Sequence, residues 1–566
     1  MPSSFQLLAS GLVGALGCYV LIQQITGRRA PRSPIQLLPG PPSASMFFGN
    51  SLQILKSEDQ VELHRQWVKK YGPTIVYKGI FWPGGRIYTL DLKAINHILM
   101  NCYTYKKPDF ITHSIRRVVG DGILFVEDDV HKKQRRVMNP AFGPMYLREL
   151  MPIFIEKAIR LRDIWIAQAK VNGGEARIDG LSWLCKTALD VIGEAGFGYD
   201  LEALSEDLGH ENELSQAFSR IFRVGAGATL STFIAILRGK FPILRFLPAD
   251  GDEERMKARN IMFEIGRKLL QEQKREIAPS ALVKSAHGLS KGKSLLSLLL
   301  RANTSDDVPD HQKLTDEEVV AREFPQMISA NEHSIGVLLS VEIPTFILAG
   351  HETTGTATSW ALYALTKNKD VQVKLREELL TVSSDNPSMD ELNALPYLDG
   401  VVRETLRLHA PVSTNSRVAT MDDVIPLERP VTDLNGEMHH SLRVSKGQNI
   451  AIPIVLINTS EEIWGEDALE FNPSRWASVP PTARNVPGIW GNIMSFSGGP
   501  RGCIGYRFSL LEIKALLFTL IRAFDLDLAV PPSDILQKPE VVTRPVLKTD
   551  PNHSNQLPLI VRPLEL

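Results

Sequence analysis

The residues best placed to do chemistry lie in Phe496-Ser497-Gly498-Gly499-Pro500-Arg501-Gly502-Cys503-Ile504-Gly505. Glycines and a proline force a loop there. The apolar period of Tyr506 to Leu517 predicts a helix directly after it, so Cys503 falls where a loop enters a helix N-terminus. Partial positive charge and free N–H groups at such a place favour thiolate over thiol. Flanking glycines let a flat macrocycle approach the backbone, and their amides can hydrogen-bond the sulfur and tune its electron donation. A lone cysteine is more often a buried structural residue. That alternative leaves the glycine cluster, Phe496 and Arg501 without a use.

Phe496, Gly499, Arg501, Cys503 and Gly505 stand at the spacing FxxGxRxCxG, which resembles the haem-ligand signature of the cytochrome P450 superfamily. The resemblance implies haem b, iron protoporphyrin IX, as cofactor, with Cys503 as the proximal thiolate ligand of its iron. It also implies that Phe496 shields the sulfur and Arg501 holds a haem propionate, with Gly499 and Gly505 among the cofactor-binding positions.

Other constellations gain meaning beside this one. Ala349-Gly350-His351-Glu352-Thr353-Thr354 interrupts an apolar helical run from Glu342 to Ala364, admitting a flat group against small residues and polar atoms into an apolar face. Threonines that merely back-bond to their own helix are the other reading. The segment resembles the family's AGxET(T/S) motif, which implies that Thr353 hydrogen-bonds activated oxygen and, with water and Glu352, relays protons for O–O cleavage. Glu404 and Arg407 share one helix face at i,i+3, a spacing most often seen in surface pairs. They resemble the family's ExxR, whose third member would be Arg475 in Phe471-Asn472-Pro473-Ser474-Arg475-Trp476, and the three are implied to be a structural lock. His131 and Arg135 lie one helical turn apart and resemble the WxxxR propionate-binding helix, with His in place of Trp. Arg417 resembles a further propionate-binding arginine. Lys132, Lys133, Arg507 and Lys514 form either a basic patch for an acidic reductase or a solvated charged face.

Two motifs are decoys. His287-Gly288-Leu289-Ser290-Lys291-Gly292-Lys293-Ser294 lacks the first glycine of a phosphate-binding loop and the strand before it, and reads as a basic linker. His351-Glu352-Thr353-Thr354-Gly355 begins like a zinc-protease helix, but Gly355 replaces the second ligand.

The elements that must position these residues are mainly helical. Apolar spacing predicts helices near 61–70, 145–170, 180–197, 253–276, 341–367 and 396–409, and β-rich runs at Thr74–Tyr77 and Arg86–Leu90 predict a small sheet near the start. β content returns after 410. Without an internal repeat, the expected fold is mainly α with small β-sheets (α+β), one large P450-type domain over 50–566 after an N-terminal transmembrane helix. Residues 321–340 stand between an LTDEEV stretch and the oxygen-motif helix, where relatives run almost straight on. They read as an inserted loop or a translated intron.

At 43% hydrophobic and 22% charged, the chain of 566 residues excludes disorder, collagen and coiled coil, and a net charge of -1 gives no pull on nucleic acid. Four scattered cysteines exclude a disulfide framework and suit a reducing compartment. Phe5 to Ile25 carries no charge and as a helix would be about 31 Å long, enough for one bilayer crossing. A signal peptide is the alternative, but Arg28, Arg29 and Arg32 follow the run instead of a cleavage site. Residues 1–30 are therefore read as a membrane anchor and 31–49, with Pro39-Gly40-Pro41-Pro42, as a stiff hinge. The positive-inside rule then leaves the globule in the cytosol and the Asn303, Asn458 and Asn552 sequons unused.

Taken together, the resemblance implies a monooxygenase in the endoplasmic reticulum membrane. It would oxidise a lipophilic small molecule, a terpenoid or other secondary metabolite, with O2 and electrons from NADPH-cytochrome P450 reductase, cytochrome b5 being a second donor. The length leaves no space for a fused reductase, so a partner is expected. The other functions open to such a chain are a haem-thiolate isomerase or dehydratase without reductase, and a non-catalytic haem-binding protein. Candidate pocket walls are Pro108–Leu124, Val224–Leu247, the helix before Thr353, and Val412–Asn415.

Overall fold

Acidic residues placed just ahead of apolar runs start two of the early helices. Asp59 accepts the N–H groups of Val61 and Glu62 at 2.9 Å and opens α1 (Gln60–Tyr71); Asp91 accepts Ala94 N–H at 2.9 Å and opens α2 (Leu92–Met100). Then follow α3 (Asp109–Val119), α4 (Asp128–Met138), α5 (Pro144–Val171), α6 (Gly180–Val191), α7 (Ser334–Lys367), α8 (Pro396–Leu408) and α9 (Tyr506–Ala523). α5 and α8 begin with proline at N1, where its missing N–H costs nothing. The computed structural model describes residues 34–208 and 334–565, apart from 46–47, 80–84, 121, 540 and 552–553, with scattered positions between 238 and 295. The 5–25 run, most of the Val224–Leu247 wall, the linker at 287–293, Asn303, Asn552 and residues 321–333 lie outside the described residues. Among the described residues no helix is long and apolar enough to cross a membrane.

The mainly helical content with small sheets agrees with the sequence reading. Within it the chain divides into two compact units built from interleaved segments. Strands near the start pair with strands more than half the chain away, and helical periodicity cannot reveal such pairing.

Met1–Pro108, Thr414–Ile463 and Thr482–Arg501 form the first unit. Its sheet runs in the order Thr74–Tyr77, Arg86–Thr89, Asn449–Ile452, Asn415–Ala419, Tyr105–Lys106, with Ile87 opposite Ile450 in a parallel pairing. Trp67, Ile75, Tyr77, Tyr88, Ala451 and Leu456 make its core, and the His64 ring stacks on Tyr88 at 4.9 Å. The expected hinge is pinned to this unit. Pro34–Leu37 forms a 3-10 turn, Val76 N–H donates to Pro39 O at 2.9 Å, and a Cβ on Gly40 would lie 1.9 Å from Val76 O. Asn458 is fully buried, donating to Ser495 Oγ and accepting from Met494 N–H, so its side-chain amide is not open to a glycosyl group.

Asp109–Ser413, Trp464–Pro481 and Gly502–Leu566 form the second unit. α7 crosses α6 so closely at Gly355 that a Cβ there would lie 2.8 Å from Cys185 Cα. The residue that removes the zinc-helix reading is thus a packing glycine. Asp179 opens α6 by accepting Leu181 N–H and also accepts Leu557 N–H, joining that helix to the sheet of Ala176–Asp179, Pro558–Pro563 and Phe524–Leu528. Phe154 and Phe508 meet edge to face and bind α5 to α9. Residues 334–340, read from sequence as part of an inserted loop or translated intron, are the first turns of α7.

Candidate active site

α7 is buried from Glu342 to Leu348 and again from Thr354 to Thr366. Between those stretches Ala349 is exposed, and Gly350, Glu352 and Thr353 are half-buried. The helix therefore opens a window of small and polar groups at the place singled out in its sequence. Thr353 Oγ1 donates to Ala349 O at 2.6 Å, so the back-bonding alternative holds geometrically and leaves that oxygen free to accept. Thr354 Oγ1 and Ser509 Oγ share a hydrogen bond of 2.6 Å, which ties the window to α9. His351 is buried, with Nδ1 at 2.6 Å from Ile347 O.

Cys503 lies ahead of α9, which begins at Tyr506. Its residue keeps exposed surface. Burial of the sulfur pushes its thiol up, opposed by the Gly505 N–H and the positive charge of Arg135. A cation bound to the sulfur reverses that balance. Arg135 reaches this loop directly, donating from Nη1 to Gly502 O, and His131 is buried one turn earlier on α4.

The rest of the loop belongs to the first unit. Gly499 has φ +66°, and a Cβ on it would lie 2.6 Å from Leu99 O; one on Gly498 would lie 2.0 Å from Pro487 O. Neighbouring protein backbone by itself demands these two glycines. Gly505 differs. Its φ is −88°, and a Cβ would meet nothing nearer than Phe142 at 3.7 Å, so the fold itself leaves room at this position. Phe496 is half-buried edge to face with Trp490 at 5.7 Å, and Arg501 ends the 3-10 turn Gly499–Arg501. Arg417 is buried on its strand, where it donates to Asn415 Oδ1 and Ser416 O. A thiol beside an N–H donor, an unencumbered Gly505 and a small-residue window on α7 fit a flat cofactor carried on sulfur.

Glu404, Arg407 and Arg475 meet in the second unit. Arg407 Nε and Nη2 donate to the two Glu404 oxygens at 2.9 and 2.8 Å, both side chains at 0% exposure. Arg475 Nε reaches Glu404 Oε1 at 3.3 Å. Sequence reading misses the remaining partners: Asp467, which pairs with both Arg475 Nη atoms at 2.7 Å, and the Trp476 indole and Asn472 N–H, which donate to Glu404. Only the nearness of Asp467 in a Gly-Glu-Asp turn hints at it. The basic patch is corrected as well. Lys514 is buried and bonded to Asp399 at 2.9 Å and Asn393 at 3.0 Å, because α9 turns that face inward, whereas Lys132 and Arg507 are exposed.

Arg544 is a further residue without a sequence signal. Its Nε donates to Glu352 Oε2 at 3.0 Å, with side-chain exposures of 6% and 12%. The pair fixes Glu352 beside Thr353. Arg544→Leu is expected to cost about 2 kcal/mol in urea unfolding, less than for a fully sealed pair because Glu352 keeps some water. Adding Glu352→Gln should recover most of that loss. Equal stability of Arg544→Leu and wild type would show that the pair does not hold the window.

A family model described as Cytochrome P450 matches residues 39–333 and 338–549. The chain is 47% identical to cytochrome P450 monooxygenase 205 of Postia placenta over 532 residues, covering 94% of this chain and 93% of that protein. Cytochrome P450 monooxygenase 128 of the same organism is 45% identical over 532 residues, with the same coverage of each chain. Cytochrome P450 monooxygenase claW of Ampulloclitocybe clavipes is 32% identical over 560 residues, covering 97% of this chain and 96% of that protein.

Proposed function

Since the chain belongs to the cytochrome P450 family, whose members bind haem and act as oxidoreductases, we propose that it oxidises a lipophilic small molecule with O2. The electrons come from NADPH through a separate reductase, and the substrate is a terpenoid or other secondary metabolite. Bound haem supplies the redox chemistry that activates O2. The reading is carried by Cys503, backed by Gly505 N–H and Arg135, in the same unit as the α7 window.

In this scheme Cys503 would hold the iron, Phe496 would shield the sulfur, and Arg135, His131, Arg417 and Arg501 would take the propionates. Thr353 has committed its proton to Ala349 O, so it holds a water or a protonated oxygen by accepting from it. Glu352, tethered by Arg544, keeps its place beside Thr353 for proton relay. Phe5–Ile25 anchors the chain in the endoplasmic reticulum membrane with the enzyme in the cytosol, where the reductase works and cytochrome b5 is a second donor.

The test is reconstitution with reductase, NADPH and 18O2 over a panel of lipophilic compounds, with products read by mass. A product carrying one labelled oxygen is expected. Product formed without reductase would replace this reading by an isomerase or dehydratase. NADPH left unconsumed across the panel, by protein that binds carbon monoxide through a thiolate-ligated iron, would leave a haem-binding protein.

A further inference from the structure

Glu342, on the second unit's α7, is fully buried, and its two oxygens are treated differently. Oε1 accepts the Ile123 N–H at 2.6 Å; Oε2 has no hydrogen-bond partner. Burial pushes this carboxyl up to about 8, against the Ile123 N–H, so at neutral pH the group carries a proton with no acceptor. A buried donor left unmade costs about 1–3 kcal/mol, and native structures keep few of them without a use.

Gly122 is a close neighbour of Oε2. A Cβ on it would lie 3.1 Å from Oε2 and 2.2 Å from Thr345 Oγ1, so only a glycine lets this segment come so near. Gly122 belongs to the irregular segment between α3 and α4, next to the exposed Leu124. A loop of that kind yields at less cost than packed helix. From Glu342 to Thr353 the helix makes three turns, about 16 Å at 1.5 Å per residue, which returns both residues to the same side of α7.

We infer that Glu342 is a specificity-determining residue whose carboxyl donates a hydrogen bond to a hydroxyl or carbonyl oxygen of the substrate, at the far end from the carbon oxidised near Thr353. The inference rests on the monooxygenase reading for the location of that carbon. The substrate class narrows to elongated lipophilic molecules that already carry one oxygen, about 16 Å from the point of attack.

The probes are 1-dodecanol and dodecane. Binding to full-length holoprotein is read by the haem Soret shift and by the rise in unfolding temperature. Wild type is expected to bind the alcohol about 5- to 10-fold more tightly than the alkane, the range of one neutral hydrogen bond. Glu342→Gln keeps an acceptor for Ile123 and a donor at the free position, and should retain the preference. Glu342→Leu should bind both probes alike. Equal or absent binding of the pair by wild type, a preference that survives in Glu342→Leu, or its loss in Glu342→Gln overturns the inference. Because neither readout needs turnover, a failure to incorporate 18O with the preference intact would remove the monooxygenase reading alone.

Discussion

Cys503→Ser is expected to abolish the thiolate-type Soret band of the reduced, carbon monoxide-bound protein and, with it, NADPH-dependent oxygen incorporation. The loss should be complete, not graded, because a serine oxygen at this position has neither the polarisability nor the accessible deprotonated form that makes sulfur a ligand and electron donor. The surroundings sharpen the expectation. Gly505 N–H and Arg135 both act on this one sulfur, whereas Cys185 has a thiol that burial pushes well up and Glu352 pushes further. Cys185→Ser and Cys102→Ser should therefore retain the band. The Cys503 variant also tests folding, since the swap is nearly isosteric and far-ultraviolet circular dichroism should match wild type. A thiolate band that persists in Cys503→Ser would refute the ligand assignment.

Substitutions at the Glu404 cluster should damage the fold before they touch chemistry. Glu404 accepts from Arg407 twice, from Arg475, from the Asn472 N–H and from the Trp476 indole. Removing one member of a buried ion pair strands the other and costs roughly 3–5 kcal/mol, against a total stability of about 5–15 kcal/mol. Glu404→Ala and Arg407→Met should therefore be recovered with little haem and should unfold at clearly lower urea. Arg475→Met should be milder: it leaves Glu404 with Arg407, and its second partner Asp467 is 40% exposed and can be rehydrated. The double variant Glu404→Leu with Arg407→Met should regain part of the loss, since an apolar pair has no charge to desolvate. Arg407→Met within about 1 kcal/mol of wild type would contradict this account of the cluster.

How much of this could be read along the chain depends on the range of the interaction. Helices starting at Gln60, Pro144 and Pro396 are legible because caps, N1 prolines and apolar periods act within a turn or two. The Cys503 loop is legible for the same reason: a glycine-rich approach to a helix concentrates its chemistry in ten consecutive residues. Glu404 and Arg407 share a face by helical spacing alone. Partners brought in from elsewhere are not legible. Arg544 and Glu352 carry no mutual sign, since their meeting depends on where a late hairpin packs against α7. Gly498 and Gly499 look like ligand glycines in sequence, yet neighbouring carbonyls require them. Lys514 looks like a surface charge until α9 buries it against Asp399.

Chain order thus settles the family and, with it, the haem, because both are written in residues that interact as neighbours. Packing of distant segments settles which charges are paired, which glycines are steric, and that Glu342 ends with one oxygen engaged by Ile123 and the other unpaired. The physical reason is desolvation. A side chain's charge and hydrogen-bonding demand follow from the water it loses, and that loss is decided by what folds over it.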